Sequence, residues 1–130
     1  MSAAAVEADV EHHNEVYLVG KLSGEPIERE LPSGDVLLAW RLVVQRAAAD
    51  RGLSKTAHDT LPCFTMRAGV RRSVASWNAG DLVEVEGVLR RRFWRTPSGA
   101  EASKCEVEAR SVKRLRRATK ASGGASAEVE

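Results

Sequence analysis

The sequence contains few of the residues from which metal sites and disulfide frameworks are built. It has two cysteines, Cys63 and Cys105, and three histidines, His12, His13 and His58, in 130 residues. Neither type forms a CxxC or HxxxH pattern, so no metal site and no bound cofactor are expected. Each cysteine lies within an apolar run, where a reduced thiol behaves as a small hydrophobic side chain. A disulfide between the two is the alternative, and a reducing compartment disfavours it.

Long apolar runs and catalytic motifs are also absent. No stretch of 18 consecutive apolar residues occurs, which argues against a transmembrane helix and against a membrane partner. The opening MSAAAVEADVEHHN is acidic and lacks the basic and apolar regions of a secretory signal, so a cytoplasmic location is expected. The sequence shows no metal triad, nucleophile–base pair or phosphate-binding loop, and we therefore expect a protein that is not an enzyme.

Charge is plentiful but unevenly distributed along the chain. The net charge of +2 combines −4 over residues 1–66, +8 over residues 67–120 and −2 over the last ten residues. A basic second half within a nearly neutral protein favours a binding site for a polyanion. Ordinary solvated strand faces would give the same excess, and they are the alternative interpretation.

Hydrophobic patterning predicts one folded unit at residues 14–115. An Ala- and Glu-rich arm at 1–13 and a Gly- and Ser-rich tail at 116–130 are expected to be disordered. The connection 23–34 contains two prolines and Pro-Ser-Gly, and it is expected to form a turn, a short strand and a turn. Alternation and helical spacing predict strands at 14–22, 35–46, 59–67, 81–95 and 103–115, and a helix at 70–78.

The order of three strands, a helix and two strands is that of the OB-fold, an all-β fold class consisting of a five-stranded antiparallel barrel. A generic five-stranded meander is the alternative. The second strand is apolar on both faces at its centre, which is typical of a strand buried on two sides, as where a barrel meets another subunit. Trp40 on that strand is expected to pack in the core or at an interface rather than to stack on a base. Trp77 on the helix is expected in the core, and Tyr17 on a rim, at an interface or in stacking.

Four stretches of the folded unit resemble the bacterial single-stranded DNA-binding protein family. Residues 14–22, NEVYLVGKL, match an opening strand N-x-V-x-L-x-G-x-L, and Glu25-Pro26 with Pro32-Ser33-Gly34 is similar to the connection after it. Residues 39–46, AWRLVVQR, resemble the second strand, and residues 80–94, GDLVEVEGVLRRRFW, resemble G-D-x-V-x-V-E-G-x-L-x-x-R-x-W. The resemblance implies an OB-fold that binds single-stranded DNA in replication, recombination or repair, and a homo-oligomer, either a tetramer or a dimer.

A single strand exposes unpaired bases and one phosphate per nucleotide, so binding it takes aromatic platforms and a basic track. Trp94 aligns with a base-stacking tryptophan of the family, and Arg90 and Arg92 share its strand face as candidate phosphate contacts. A tryptophan that covers the barrel rim and solvated arginines are the alternatives, and Phe93 on the opposite face is assigned to the core or an interface. The remaining candidate contacts are Lys21, Arg46, Met66 and Arg67.

The chain departs from the family at three further stacking positions, where we find Ala48, Thr60 and Met66. Methionine can pack against a base, but the other two side chains cannot replace a ring, so weaker binding with a steeper salt dependence is expected. The ending GGASAEVE lacks the Pro-Phe tip through which family members recruit repair proteins, which makes such recruitment doubtful. Together, these departures resemble a secondary paralogue of the family. An OB-fold used for RNA binding or protein interaction is the alternative function.

Overall fold

The computed structural model describes residues 11–52 and 54–119, and the rest of the predicted arm and tail lies outside them. The described residues form a closed five-stranded barrel with one short α-helix, which confirms the all-β OB-fold class. The elements are β1 Val16–Glu30, β2 Val36–Gln45, β3 His58–Thr65, α1 Ala68–Ala75, β4 Leu82–Arg95 and β5 Glu101–Arg116, with a 3-10 turn at Ala48–Asp50. No helix in the described part of the chain is long and apolar enough to cross a membrane.

The barrel closes in the order β1-β2-β3-β5-β4. Four of the strand pairs are antiparallel, and the closure between β3 and β5 is a short parallel pairing at Cys63↔Val107 and Phe64↔Glu108. Strand β1 pairs with β4 over its first half and with β2 over its second half. A single bent strand therefore serves two sides of the barrel.

The bend in β1 explains where the connection after residue 22 differs from expectation. The predicted turn, short strand and turn are instead a continuation of β1 to Glu30, with a register shift between Ser23 and Ile27. Gly24 adopts a positive φ of 74° within the shift, a conformation that glycine takes without a steric penalty. Pro26 lies in the same gap, where its missing N–H breaks no ladder bond. The chain can therefore bend without leaving the sheet.

Strand alternation and one helix face supply the core. Leu22, Leu42, Val74 and Val83 are buried, while Tyr17 faces out, as the period of two predicts. The rings of Trp40 and Trp77 meet edge to face with their centroids 6.1 Å apart, and this geometry is favourable for aromatic pairs. Both tryptophans are buried, which confirms that they belong to the core.

A buried carboxylate ties the end of β5 to the start of β4. Asp81 is 1% exposed, and it accepts hydrogen bonds from the backbone N–H of Asn78 at 2.9 Å and of Ala118 at 2.7 Å. Arg114 Nη1 lies 3.4 Å from the same carboxylate. Burial alone would raise the pKa of Asp81, but these donors outweigh burial and hold its pKa below the usual value. The ionised carboxylate therefore stabilises the folded chain.

Candidate nucleic-acid interface

Strands β4 and β5 extend past the barrel as a two-stranded arm, which we call the distal hairpin (residues 88–106). Its pairing with β1 ends at Val16↔Gly87 and its pairing with β3 ends at Cys63↔Val107, whereas β4 and β5 stay paired to Arg95↔Glu101. The side chain of Asn14 bonds to the backbone N–H and C=O of Leu89, both at 2.8 Å. Asn14 thereby occupies the next position of the β1–β4 ladder, and beyond it that edge of β4 is not paired with β1.

One face of the distal hairpin carries Trp94 together with Arg90 and Arg92. The guanidinium carbon of Arg92 lies 4.9 Å from the centroid of the Trp94 ring, within the range of a cation–π interaction. Trp94 is 39% exposed, so part of its ring remains open to a ligand. Arg90, Arg92 and Trp94 share this face because alternate residues of a strand point the same way, and their role as a binding site stays a prediction.

The two arginines of this face already have carboxylate partners. Arg92 donates to Glu106 Oε1 from Nη2 at 2.8 Å and from Nε at 3.1 Å. Arg90 Nε donates to Glu108 Oε1 at 2.8 Å. The carboxylates come from β5, so they were not among the residues that the alternation of β4 identified. A phosphate that binds here competes with them, and the positive charge of this face is partly neutralised.

The opposite face of the hairpin carries a second arginine–aromatic pair. Arg91 places its guanidinium carbon 5.2 Å from the centroid of Phe93, and its Nη2 donates to Ser103 Oγ at 3.1 Å. Phe93 is 57% exposed, so it does not belong to the core of this chain. The sequence contains one signal for this second pair. Phe93 and Trp94 are adjacent, and neighbouring strand residues point to opposite faces.

A groove of about 480 Å³ opens where the distal hairpin meets β1, β2 and β3. Its apolar lining includes Ile27, Leu37, Ala39 and Pro62. Its charged lining includes the cations Arg29, Arg41, Arg92 and Lys104 and the carboxylates Glu25 and Glu106. Leu37 and Ala39 come from β2, so part of the second apolar face of that strand lines the groove. A subunit contact at β2 remains a prediction.

The other predicted contacts lie away from the hairpin tip. Lys21 pairs with Leu82 at the opposite end of β4, 12 residues along the strand from Trp94, a separation of at most about 40 Å at the usual rise of a strand. Arg46 makes a two-point ion pair with Asp59 at 2.7 and 2.8 Å, and its hydrogen bonds lower the pKa of that carboxyl. Met66 and Arg67 are exposed and follow the end of β3. The seven predicted residues therefore do not form one cluster, and three of them share the hairpin.

The two departures from the family that cannot replace a ring are Ala48 and Thr60. Ala48 lies in the 3-10 turn, and Thr60 pairs with Val43 in β3. Among the described residues, the aromatic side chains with large exposed areas are Tyr17, Phe93 and Trp94. Two of these three rings are on the distal hairpin, so the capacity for stacking is concentrated there.

Comparisons with known proteins agree with this architecture. Residues 13–115 match the model of the single-strand binding protein family. Single-stranded DNA-binding protein A of Bacillus subtilis is 30% identical over 102 residues, which cover 78% of this chain and 59% of that protein. The single-stranded DNA-binding protein of Deinococcus radiodurans is 30% identical over 108 residues, which cover 78% of this chain and 35% of that protein. The chain thus spans less than two thirds of the length of these relatives.

Solved structures share the fold. A Plasmodium falciparum SSB in complex with ssDNA superposes with a TM-score of 0.68 at 21% identity, covering 80% of this chain and 96% of that chain. The mitochondrial single-stranded DNA-binding protein Rim1 of S. cerevisiae superposes with a TM-score of 0.64 at 12% identity, covering 82% and 98% of the two chains. At these identities the likeness establishes the barrel and its topology.

Proposed function

The chain belongs to the single-strand binding protein family, and we propose that it binds single-stranded DNA without sequence preference in support of DNA replication, recombination or repair. It acts as a binding protein rather than as an enzyme, on DNA in the cytoplasm. The observation that carries the proposal is the Arg92–Trp94 pair beside the cationic groove. A π-face is common to all bases, so a stacked ring with a basic track binds strands of any sequence.

The path of the DNA strand across the protein is inferred from the cations that make no salt bridge. Arg29, Arg41 and Lys104 line the groove, and none of them makes a salt bridge among the described residues. We assign phosphate contacts to these three cations first. Trp94 receives a base, and Arg90 and Arg92 contact phosphate in competition with their carboxylates. Lys21, Arg46, Met66 and Arg67 are assigned to more distant stretches of a strand that runs across the barrel.

The same family membership supports a homo-oligomer, a dimer or a tetramer, as the functional form. Tyr17 and Val19 point outward from β1 and are exposed in the single chain, and exposed apolar side chains on a strand face favour association. Several barrels in one particle would bring several hairpins to one DNA strand.

A second candidate is an OB-fold used chiefly for RNA binding or for protein interaction. Ala48 and Thr60, where the resemblance implies rings, are the observation that favours it, because fewer platforms weaken stacking on DNA.

Competition binding distinguishes the two candidates. A labelled oligo(dT) bound at low salt is challenged with unlabelled single-stranded DNA, single-stranded RNA of the same length, and duplex DNA. Our proposal requires single-stranded DNA to displace the label at the lowest concentration. Stronger displacement by RNA would favour the second candidate, because the 2′-OH allows a protein to tell the two strands apart.

A further inference from the structure

The two faces of the distal hairpin present the same chemical arrangement. On one face the guanidinium of Arg92 lies over Trp94 at 4.9 Å, and on the other the guanidinium of Arg91 lies over Phe93 at 5.2 Å. Phe93 is more exposed than Trp94, at 57% against 39%. A ring with a cation against it and with its surface open to solvent has the features of a base-stacking platform.

The arginine beside the ring differs between the two faces in whether a carboxylate neutralises it. Arg90 and Arg92 are each bonded to a carboxylate. Arg91 donates instead to the neutral hydroxyl of Ser103, and it makes no salt bridge within the described residues. Its positive charge is therefore not neutralised by a neighbouring carboxylate. A phosphate near Arg91 meets no competing anion of this kind.

The edge between the two faces is accessible to a strand. The β1–β4 ladder ends at Gly87, and the side chain of Asn14 bonds to the backbone of Leu89 at the next ladder position. From Arg90 to Arg95, β4 pairs with β5 on its other side. Phe93 and Trp94 are neighbours in the chain, so their Cα atoms are about 3.8 Å apart with side chains on opposite faces. A DNA strand that crosses this edge of β4 can contact one ring after the other.

We infer that Phe93 and Arg91 form a second platform for a nucleobase and its phosphate, so that the distal hairpin stacks bases on both of its faces. The inference rests on the proposed function and extends DNA binding to the Phe93 face, for which the family resemblance implies no contact. It also gives this chain a ring that offsets the two lost at Ala48 and Thr60. The occupant is a single DNA strand, because an exposed ring beside an arginine without a carboxylate partner matches a base with its phosphate.

The test compares binding of a fluorescein-labelled oligo(dT) at low salt by the wild-type chain and by four variants. Phe93→Ala is expected to weaken binding by about 5- to 150-fold, the range seen when one base–ring stack is removed. Phe93→Tyr keeps a ring and is expected to bind within about threefold of wild type, since stacking needs a π-face rather than a particular ring. Trp94→Ala removes the ring of the first platform and gives the loss of affinity with which Phe93→Ala is compared. Leu115→Ala, which removes a comparably exposed apolar side chain of β5 outside the hairpin, is the control and is expected to bind as wild type does.

A second readout locates the base directly. In a Phe93→Trp, Trp94→Phe double variant, the reporting indole is moved to the opposite face, and oligo(dT) is expected to quench its fluorescence. Equal affinity of Phe93→Ala and wild type, or an unquenched indole at position 93, would overturn the inference while leaving the proposed function intact. A reduced oligomer mass for Phe93→Ala with DNA affinity unchanged per barrel would also overturn it, because the face would then contact a second copy. No binding by the wild type would instead refute the proposed function, on which the inference depends.

Discussion

The guanidinium of Arg92 is held between the indole of Trp94 and the carboxylate of Glu106. Its carbon lies 4.9 Å from the ring centroid, and its Nη2 donates to Glu106 Oε1 at 2.8 Å. The cation lies over the indole, and Trp94 is still 39% exposed. Because the carboxylate fixes the cation before any ligand arrives, the platform loses less side-chain freedom on binding than two mobile side chains would.

Trp94 is expected to contribute one stacking contact. Trp94→Ala should weaken binding to oligo(dT) by about 1–3 kcal/mol, whereas Trp94→Phe, which keeps a ring, should recover most of the affinity. Fluorescence anisotropy with a labelled oligonucleotide measures both. If Trp94→Ala binds as tightly as the wild type, Trp94 is a rim residue and not a platform.

Removing the carboxylates beside the arginines should strengthen binding. In a Glu106→Gln, Glu108→Gln variant the amide oxygens can still accept hydrogen bonds from Arg92 and Arg90, but the competing negative charges are gone. We expect tighter binding at low salt and a plot of log affinity against log salt that is steeper by up to about 0.7 for each arginine freed.

A salt series checks this prediction, with Glu101→Gln as the matched control. Glu101 is an exposed acid of β5, opposite Arg95, and it makes no salt bridge among the described residues. Its removal changes the charge of the hairpin without freeing Arg90 or Arg92. An unchanged slope in the double variant would mean that these arginines do not contact phosphate.

Asp81 should control stability rather than binding. Both oxygens of the buried carboxylate accept hydrogen bonds, whereas the amide of Asp81→Asn has one acceptor oxygen, so at least one donor loses its partner. We expect a loss of about 1.5–3 kcal/mol in the free energy of unfolding at pH 7. Because the folded-state pKa of Asp81 is lowered, its contribution is complete above the unfolded pKa of about 3.9 and is lost as the pH falls through the folded value.

Urea denaturation at a series of pH values measures this difference. The stability gap between wild type and Asp81→Asn should be constant from about pH 5 upward and should shrink in acid below the unfolded pKa. Asp35→Asn, at an exposed turn carboxylate bonded to Ser33, is the control and should have little effect. A gap that grows in acid would contradict the assignment of an ionised, hydrogen-bonded Asp81.

Native mass spectrometry should find the protein as a homo-oligomer, with a mass of two or four chains. The physical reason is the outward apolar side chains of β1 and β2, which water disfavours in a free monomer. The measurement is repeated over a dilution series to follow dissociation. A single-chain mass at every concentration would contradict this expectation.

The local pattern predicted most of the fold because strands such as β4 alternate between buried and more exposed residues where they line the barrel. In β4, Trp94, Arg90 and Arg92 share a parity, and the structure places them on one face. Pattern alone did not reveal that β1 continues beyond Pro26, because Pro and Gly ordinarily signal turns. A bulge at Gly24 kept the strand in the sheet.

The partners of the candidate site were harder to predict than its members. Glu106 and Glu108 meet the arginines because of the β4–β5 register, which shifts at Glu86/Gly87. At the shift the two backbones approach closely, since a Cβ on Gly87 would collide with the carbonyl oxygen of Glu108. Such a contact between strands is set by tertiary structure, and one strand's sequence does not contain it.

The most direct test of the account is a tryptophan-fluorescence titration of the wild-type protein with oligo(dT) at low salt, repeated as salt is raised. Trp40 and Trp77 are buried, so the exposed Trp94 should dominate the response. We predict saturable quenching, an affinity that falls steeply with salt, and loss of most of the quenching in Trp94→Phe. An unchanged fluorescence spectrum together with no retention of the oligonucleotide at low salt would contradict the claim that this barrel binds single-stranded DNA through its distal hairpin.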